Sequence, residues 1–139
     1  MTFWDTSALA PLIYEEEDSV RRENQLKKDR NILVWYGTRV ELESALSRRV
    51  REGFLSQDQA VLARNKIEKM AASWLEVEAS PELRDRAIRL LRVHPLRSGD
   101  AFQLAAALVV TQERPSGHAF LTSDAKMATA ARMEGFTVD

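Results

Sequence analysis

Short apolar runs alternate with longer stretches of helical periodicity along this sequence, and this alternation limits the fold more than any other feature. Five runs are predicted to be strands. They are residues 2–4, 32–36, 74–77, 119–121 and 136–138. Short uninterrupted apolar runs are typical of strands that are covered on both faces, as in a parallel sheet.

The segments between these runs carry apolar residues at helical spacing. The helical stripes cover residues 42–50, 60–71, 83–91, 101–110 and 125–133. Ser56 and Gln59 form a capping-box pattern before the second stripe, and Ser80-Pro81 reads as an N-cap followed by the first helical residue. Strands that alternate with helices predict an α/β fold: a three-layer α/β/α sandwich around a mainly parallel sheet of about five strands. Without repeats or a linker, residues 1–139 are expected to form a single domain.

Composition narrows the kinds of site that the chain can build. It has no cysteine and only two histidines, so thiolate metal sites are impossible and a zinc site is hard to assemble. Twenty Lys and Arg face 21 Asp and Glu. A global basic field therefore cannot attract a polyanion, and a nucleic acid would need local arginines or bound cations.

The expected location is the cytoplasm, with no membrane contact. The first residues lack a positive region followed by an apolar run, so no signal peptide is predicted. The longest uninterrupted apolar run, residues 104–110, is far shorter than the roughly 20 residues that cross a bilayer.

Four acidic residues are predicted to meet at one edge of the sheet. Asp5 follows the first strand, and Asp124 follows the fourth. Glu41 lies in the first turn of the helix after the second strand, and Asp100 in the first turn of the helix that starts near Ser98. Ligands of open α/β sheets bind beyond the carboxyl ends of the strands, where these acids would cluster. Clustered carboxylates repel one another unless cations neutralise them, and hard oxygen donors suit Mg²⁺ or Mn²⁺. Such ions support phosphodiester hydrolysis.

Each acid also has a structural interpretation. Asp5 and Asp124 are natural N-caps, and Glu41 follows Thr38 at capping-box spacing. Asp100 would interact favourably with a helix dipole, although a very apolar helix is an awkward place for a partnerless acid. The coincidence of four acids at one edge favours the functional interpretation.

Glu43 tests the predicted geometry, because it lies only two residues from Glu41. Residues two apart on a helix point in nearly opposite directions, so only one of the pair can face the site. Glu41 is nearer the helix start and is therefore the predicted member.

With these motifs in order, the sequence resembles PIN-domain proteins, and more closely VapC-type toxins of bacterial or archaeal toxin–antitoxin pairs. The resemblance spans the whole chain, and its specificity comes from four pieces in the right order. The pieces are Asp5-Thr6-Ser7-Ala8-Leu9, Val40-Glu41-Leu42-x-Ser44-Ala45-Leu46, Ser98-x-Asp100-Ala101-Phe102-x-Leu104-Ala105-Ala106-Ala107 and Thr122-x-Asp124-x-x-Met127-x-x-Ala130-Ala131-x-x-x-Gly135.

This resemblance implies an RNA endonuclease in which Asp5, Glu41, Asp100 and Asp124 are catalytic residues that hold one or two Mg²⁺ or Mn²⁺ ions. Asp5 and Asp100 would be direct ligands, and the other two would complete the site directly or through water. The resemblance also implies a homodimer that is silenced by a cognate antitoxin and reaches DNA only through that antitoxin. The antitoxin would contact a hydrophobic groove near Leu12, Ile13, Leu42 and Leu46.

Two other interpretations stay open. A PIN-like module that binds RNA or a protein without catalysis would use the same fold. A phosphatase of the haloacid-dehalogenase type also places an Asp after its first strand, but it requires a second Asp two residues later, where this chain has Ser7.

Hydroxyl groups of Ser7 and Thr122 are weaker candidates for orienting ligands in the proposed site.

Overall fold

Residues 1–139 are described by a computed structural model with seven helices and five strands. The elements in chain order are β1 Thr2–Trp4, α1 Thr6–Ile13, α2 Ser19–Lys28, β2 Leu33–Trp35, α3 Thr38–Arg51, α4 Gln57–Ala71, β3 Leu75–Val77, α5 Pro81–Val93, α6 Ser98–Val110, β4 Ala119–Leu121, α7 Ala125–Glu134 and β5 Thr137–Val138. All five predicted strands are present, each two or three residues long.

The sheet has the order β3-β2-β1-β4-β5, and every neighbouring pair is parallel. In the central strand β1, Phe3 is in register with Leu33 on one side and with Phe120 on the other. The predicted α/β fold with a parallel five-stranded sheet is confirmed. Because the strands are parallel, their carboxyl ends lie at one edge, and the residues that follow β1, β2 and β4 are brought together there.

Alternate side chains of the three central strands β1, β2 and β4 enter two separate cores, one on each face of the sheet. Phe3 and Phe120 stack at 5.3 Å in a core with apolar residues of α5, α6 and α7. Trp4 and Leu121, the next residue along each strand, join the opposite core with α1, α3 and α4. Helices therefore cover both faces, which is why these short strands carry few polar residues.

Local signals placed the helix ends correctly. Ser56 Oγ accepts a hydrogen bond from the Gln59 backbone at 3.1 Å, and the Gln59 side chain accepts one from the Ser56 backbone at 2.8 Å, which completes the predicted capping box. Ser80 caps α5 by accepting from the Leu83 backbone at 3.1 Å. Gly135 ends α7 with φ of +108°, a left-handed conformation that favours glycine.

The predicted groove for an antitoxin is wrong in this conformation. Ile13, Leu42 and Leu46 are at most 2% exposed and belong to the core between α1, α3 and the sheet, and Leu12 packs partly buried against it. Their apolar side chains hold the layers together and are not available to a partner. None of the helices combines the length and apolar character needed to span a bilayer.

Candidate functional site

The four acids singled out in the sequence line a single cavity of about 470 Å³. Asp5 follows β1, and Asp124 lies three residues beyond the end of β4. Glu41 and Asp100 come from the first turns of α3 and α6. Four separate elements thus deliver a carboxylate to the carboxyl edge of the sheet, as the topology requires.

Asp5 is the most buried of these acids, with 5% of its surface exposed. Its Oδ2 accepts hydrogen bonds from Ser7 Oγ at 2.6 Å and from Thr122 Oγ1 at 2.8 Å. Although Asp5 occupies the N-cap position of α1, its side chain makes no capping hydrogen bond. The capping interpretation is therefore wrong for Asp5, and the carboxylate is held by two hydroxyl groups instead.

Burial raises the pKa of Asp5 from its ordinary 3.8 to about 6. The hydroxyls of Ser7 and Thr122 act in the opposite direction, because hydrogen bonds to the charged form favour it, and the nearby charges of Glu41 and Asp100 add to the increase. Asp5 is thus an anion in a place that disfavours anions, and a bound cation would relieve that unfavourable energy.

The hydroxyl pair also fixes the turn after β4. Ser7 Oγ lies 3.1 Å from Thr122 Oγ1 and accepts from the Ser123 backbone at 2.9 Å, while Thr122 Oγ1 accepts from the Asp124 backbone at 3.1 Å. Both hydroxyls bind the same oxygen of Asp5, which leaves Oδ1 available to a ligand. The two groups therefore orient Asp5 relative to Asp124.

Glu41 points into the site rather than to its own helix end. Its Oε2 accepts hydrogen bonds from Thr6 Oγ1 at 2.7 Å and from Gln103 Nε2 at 3.0 Å. The N-cap of α3 is Gly37, so the capping box that the spacing from Thr38 suggested does not form. Glu43 points away and binds Arg64 at 2.8 Å.

Asp100 and Asp124 have weaker protein partners. Asp100 Oδ2 lies 3.4 Å from the backbone nitrogen of Arg97, a long hydrogen bond, and burial followed by the charge of Asp124 raises the pKa of Asp100. Asp124 Oδ1 accepts from the Met127 backbone at 2.8 Å and caps α7, as the structural interpretation held. The cap uses one oxygen of Asp124, so its second oxygen stays free in the cavity.

A divalent cation such as Mg²⁺ requires several ligand oxygens close to one point. In the present side-chain arrangement no three acidic or histidine side chains lie close enough together to hold a metal ion. The chemistry of the cavity nevertheless suits Mg²⁺ or Mn²⁺: its four predicted acids supply only oxygen donors, and Arg48 is the one basic residue in its lining. The carboxylates, among them the exposed Asp124, would have to move closer together to bind one ion.

Two residues beside the site carried no recognisable signal in the sequence. Gln103 reaches Glu41 from a stretch of α6 that is otherwise apolar. Arg22, fully buried in α2, donates to the Thr122 carbonyl at 2.8 Å, to Ser123 Oγ at 2.9 Å and to Asp139 Oδ2 at 2.6 Å. Arg22 thus braces the turn that carries three of the site residues.

His94 is structural, because its Nε2 lies 2.6 Å from Glu134 in a buried contact.

Comparisons with known proteins identify the family and support the fold. The model of the PIN domain family matches residues 2–133. The structure of VapBC2 from Rickettsia felis bound to a DNA fragment from its promoter superposes with a TM-score of 0.66 at 11% identity, covering 99% of this chain and 96% of that chain. FitAcB from Neisseria gonorrhoeae gives a TM-score of 0.69 at 13% identity with the same coverage. No curated protein matches at a significant level.

Proposed function

This chain belongs to the PIN domain family, and from that membership we propose that it is a metal-dependent endoribonuclease that hydrolyses RNA phosphodiester bonds as the toxin of a toxin–antitoxin pair. PIN domains are generally nucleases that use divalent metal ions. The observation that carries the proposal is the convergence of four carboxylates, from four separate elements, on one cavity.

In the proposed site, Asp5 and Asp100 bind the ion directly, and Glu41 and Asp124 complete the set. When bound, Mg²⁺ or Mn²⁺ would supply a nucleophilic water at neutral pH and stabilise the charge that develops on the phosphate. Ser7 and Thr122 hold Asp5 Oδ2, which would leave Oδ1 to contact the ion. Arg48, which has no ion-pair partner in the protein, would bind a phosphate beside the scissile bond.

The proposed partners follow from the solved neighbours, which are toxin–antitoxin complexes. We propose that a cognate antitoxin silences this chain, that the chain forms a homodimer, and that DNA is reached only through the antitoxin. The proposed location is the cytoplasm. Because Ile13, Leu42 and Leu46 are buried, the antitoxin would bind a surface other than the groove predicted from the sequence.

The test is RNA cleavage by purified protein with and without divalent ions. EDTA should abolish cleavage, and Mg²⁺ or Mn²⁺ should restore it. Asp5→Asn, Asp100→Asn and Glu41→Gln should each lose activity with the fold intact, whereas Glu43→Gln should keep it, because Glu43 binds Arg64 on the outer side of α3. Cleavage that persists in chelator, or an active Asp5→Asn protein, would reject the metal mechanism.

The competing function is a PIN-like module that binds RNA or a protein without cutting. The same experiment separates the two, if binding of a labelled single-stranded RNA is measured beside cleavage. Retained RNA binding with no cleavage at any concentration of Mg²⁺ or Mn²⁺ would favour the binding module. The cluster of acids argues against it, because a site that only binds RNA has no use for repelling carboxylates.

A further inference from the structure

Gln103 is a fully buried amide in α6, a helix that is apolar over most of its length. On α6 the residues that follow it, 104–108, are all buried Leu or Ala. A Leu or Met at position 103 would continue that pattern without a polar group to satisfy. The presence of an amide here therefore calls for a reason beyond core packing.

The amide nitrogen of Gln103 reaches three oxygens that belong to two other helices. Nε2 lies 2.8 Å from Thr6 Oγ1, 3.0 Å from Glu41 Oε2 and 3.2 Å from Thr38 Oγ1. Thr6 Oγ1 in turn donates to Glu41 Oε2 at 2.7 Å. Glu41 Oε2 thus receives two donors, one directly from Gln103 and one from a hydroxyl that Gln103 itself binds.

Glu41 dictates the orientation of the Gln103 amide, and this orientation leaves the amide oxygen without a hydrogen-bond partner. An ionised carboxylate only accepts hydrogen bonds, so the nitrogen of Gln103, and not its oxygen, must face Glu41. The oxygen Oε1 then faces a buried position where it has no hydrogen-bond partner. Leaving a buried acceptor unpaired costs about 1–3 kcal/mol, so fold stability alone does not account for Gln103.

Fixing Oε2 decides where the other oxygen of Glu41 lies. Oε1 faces Gly99, since a Cβ atom added to Gly99 would lie 3.5 Å from it. Gly99 directly precedes Asp100 at the start of α6. The two donors on Oε2 therefore turn the free oxygen of Glu41 towards the first turn of α6, the turn that also carries Asp100.

We propose that Gln103 is a positioning residue that holds the Glu41 carboxylate with Oε1 directed towards the first turn of α6 and thereby raises the affinity of the site for a divalent cation. The inference rests on the proposed metal-dependent function, whose acids it connects. Residues that bind metal-ligating side chains commonly change metal affinity by about 10–100-fold when they are removed.

The test is a double-mutant cycle read by Mn²⁺ binding, followed by electron paramagnetic resonance of the free ion in the absence of RNA. Gln103→Met keeps the length of the side chain and removes the donor, and it should weaken Mn²⁺ binding by about 10-fold or more. In the Glu41→Gln background the same substitution should change the affinity little further, because the carboxylate that Gln103 positions is gone. A role confined to folding would not produce that coupling.

Urea unfolding in EDTA supplies the second measurement. Gln103→Met should be as stable as the wild type or more stable, because it removes the unpaired buried oxygen. Thr111→Val is the matched control: Thr111 is a buried polar residue of the same helix region, bound to the Ala107 carbonyl at 2.9 Å and remote from the acids. It should keep wild-type Mn²⁺ affinity. If Gln103→Met does not fold, Gln103→Leu serves in the same cycle.

The outcomes separate this inference from the proposed function. Wild-type Mn²⁺ affinity in Gln103→Met, or an equal loss with and without the Glu41 carboxylate, would overturn the inference while the proposed nuclease stands. A wild-type protein that binds no Mn²⁺ and cuts no RNA would overturn the proposed function, and the inference would fall with it.

Discussion

Replacing Asp5 by Asn should make the metal-free protein more stable while it abolishes cleavage. The pKa of Asp5 is raised from 3.8 to about 6, chiefly by burial, so the folded state holds the proton more tightly than the unfolded state does. The contribution of Asp5 to stability is therefore greatest below about pH 3.8 and is lost as the pH rises from there through about 6. An uncharged Asn has no such loss.

The magnitude follows from the pKa difference. A carboxyl whose pKa rises from 3.8 to about 6 on folding destabilises the ionised protein by about 3 kcal/mol. Asn also accepts hydrogen bonds from Ser7 and Thr122 less strongly than a carboxylate does, so the net gain at pH 7.5 should be about 1–3 kcal/mol. For a chain of this size such a gain raises the melting temperature by roughly 3–10 °C.

The assay is thermal and urea unfolding of wild type and Asp5→Asn in EDTA at pH 7.5 and pH 5. By linkage, the advantage of Asp5→Asn at pH 5 should fall to about half its value at pH 7.5, because wild-type Asp5 is then mostly protonated. Asp85→Asn is the control. Asp85 is exposed, and its ion pair with Arg84 is long at 3.9 Å, so the substitution should change the free energy of unfolding by no more than about 0.5 kcal/mol. A variant no more stable than the wild type at pH 7.5, or an advantage that ignores pH, would refute the reasoning.

Other residues around the site give further expectations. Thr122→Val should raise the pKa of Asp5 above 6, because one of the two hydroxyls that favour the anion is lost. Carbon NMR of the Asp5 carboxyl measures this pKa, and an unchanged titration would contradict the role of Thr122. Arg22→Met should lower the free energy of unfolding by about 1–3 kcal/mol, since it strands the Thr122 carbonyl and removes one of the three donors to Asp139 Oδ2, the others being Arg21 and Gln25. A loss below about 0.5 kcal/mol in urea would show that other groups brace the turn. Leu104→Ala should lower the free energy of unfolding by about 2–5 kcal/mol, because it leaves a cavity under the sheet. The folded protein should keep its Mn²⁺ affinity. An unchanged urea midpoint would mean that the core collapses into the space.

The strands and the acids could be predicted from sequence because both depend on local patterns. The apolar run at residues 2–4 is followed directly by Asp5, and the run at residues 119–121 is followed three residues later by Asp124. Because the two strands are parallel, the two acids meet at one edge of the sheet. The choice of Glu41 over Glu43 needed only helical geometry, and Arg64 holds Glu43 on the other side as that geometry required.

Residues whose roles depend on distant partners could not be predicted in this way. Gln103 contacts Thr6 and Glu41, which lie 97 and 62 residues away in the chain, and Arg22 reaches Thr122 across 100 residues. The antitoxin groove failed for a related reason. Apolar residues at helical spacing are equally consistent with a core and with an exposed groove, and burial of Leu42 and Leu46 is decided by how α1 and α3 pack on the sheet.

All four acids lie at the starts of helices, although the capping interpretation held for Asp124 and not for Asp5 or Glu41. Asp5 and Asp124 occupy N-cap positions, and Glu41 and Asp100 lie in first turns, so four helix N-termini direct positive potential at one cavity. Each dipole contributes only about 0.3–1 kcal/mol to a nearby anion. Ionising Asp5 costs about 3 kcal/mol, a value that already includes the repulsion from Glu41 and Asp100. Helix dipoles therefore make this cluster tolerable but not neutral, and the remaining imbalance is of the sign that a bound cation would offset.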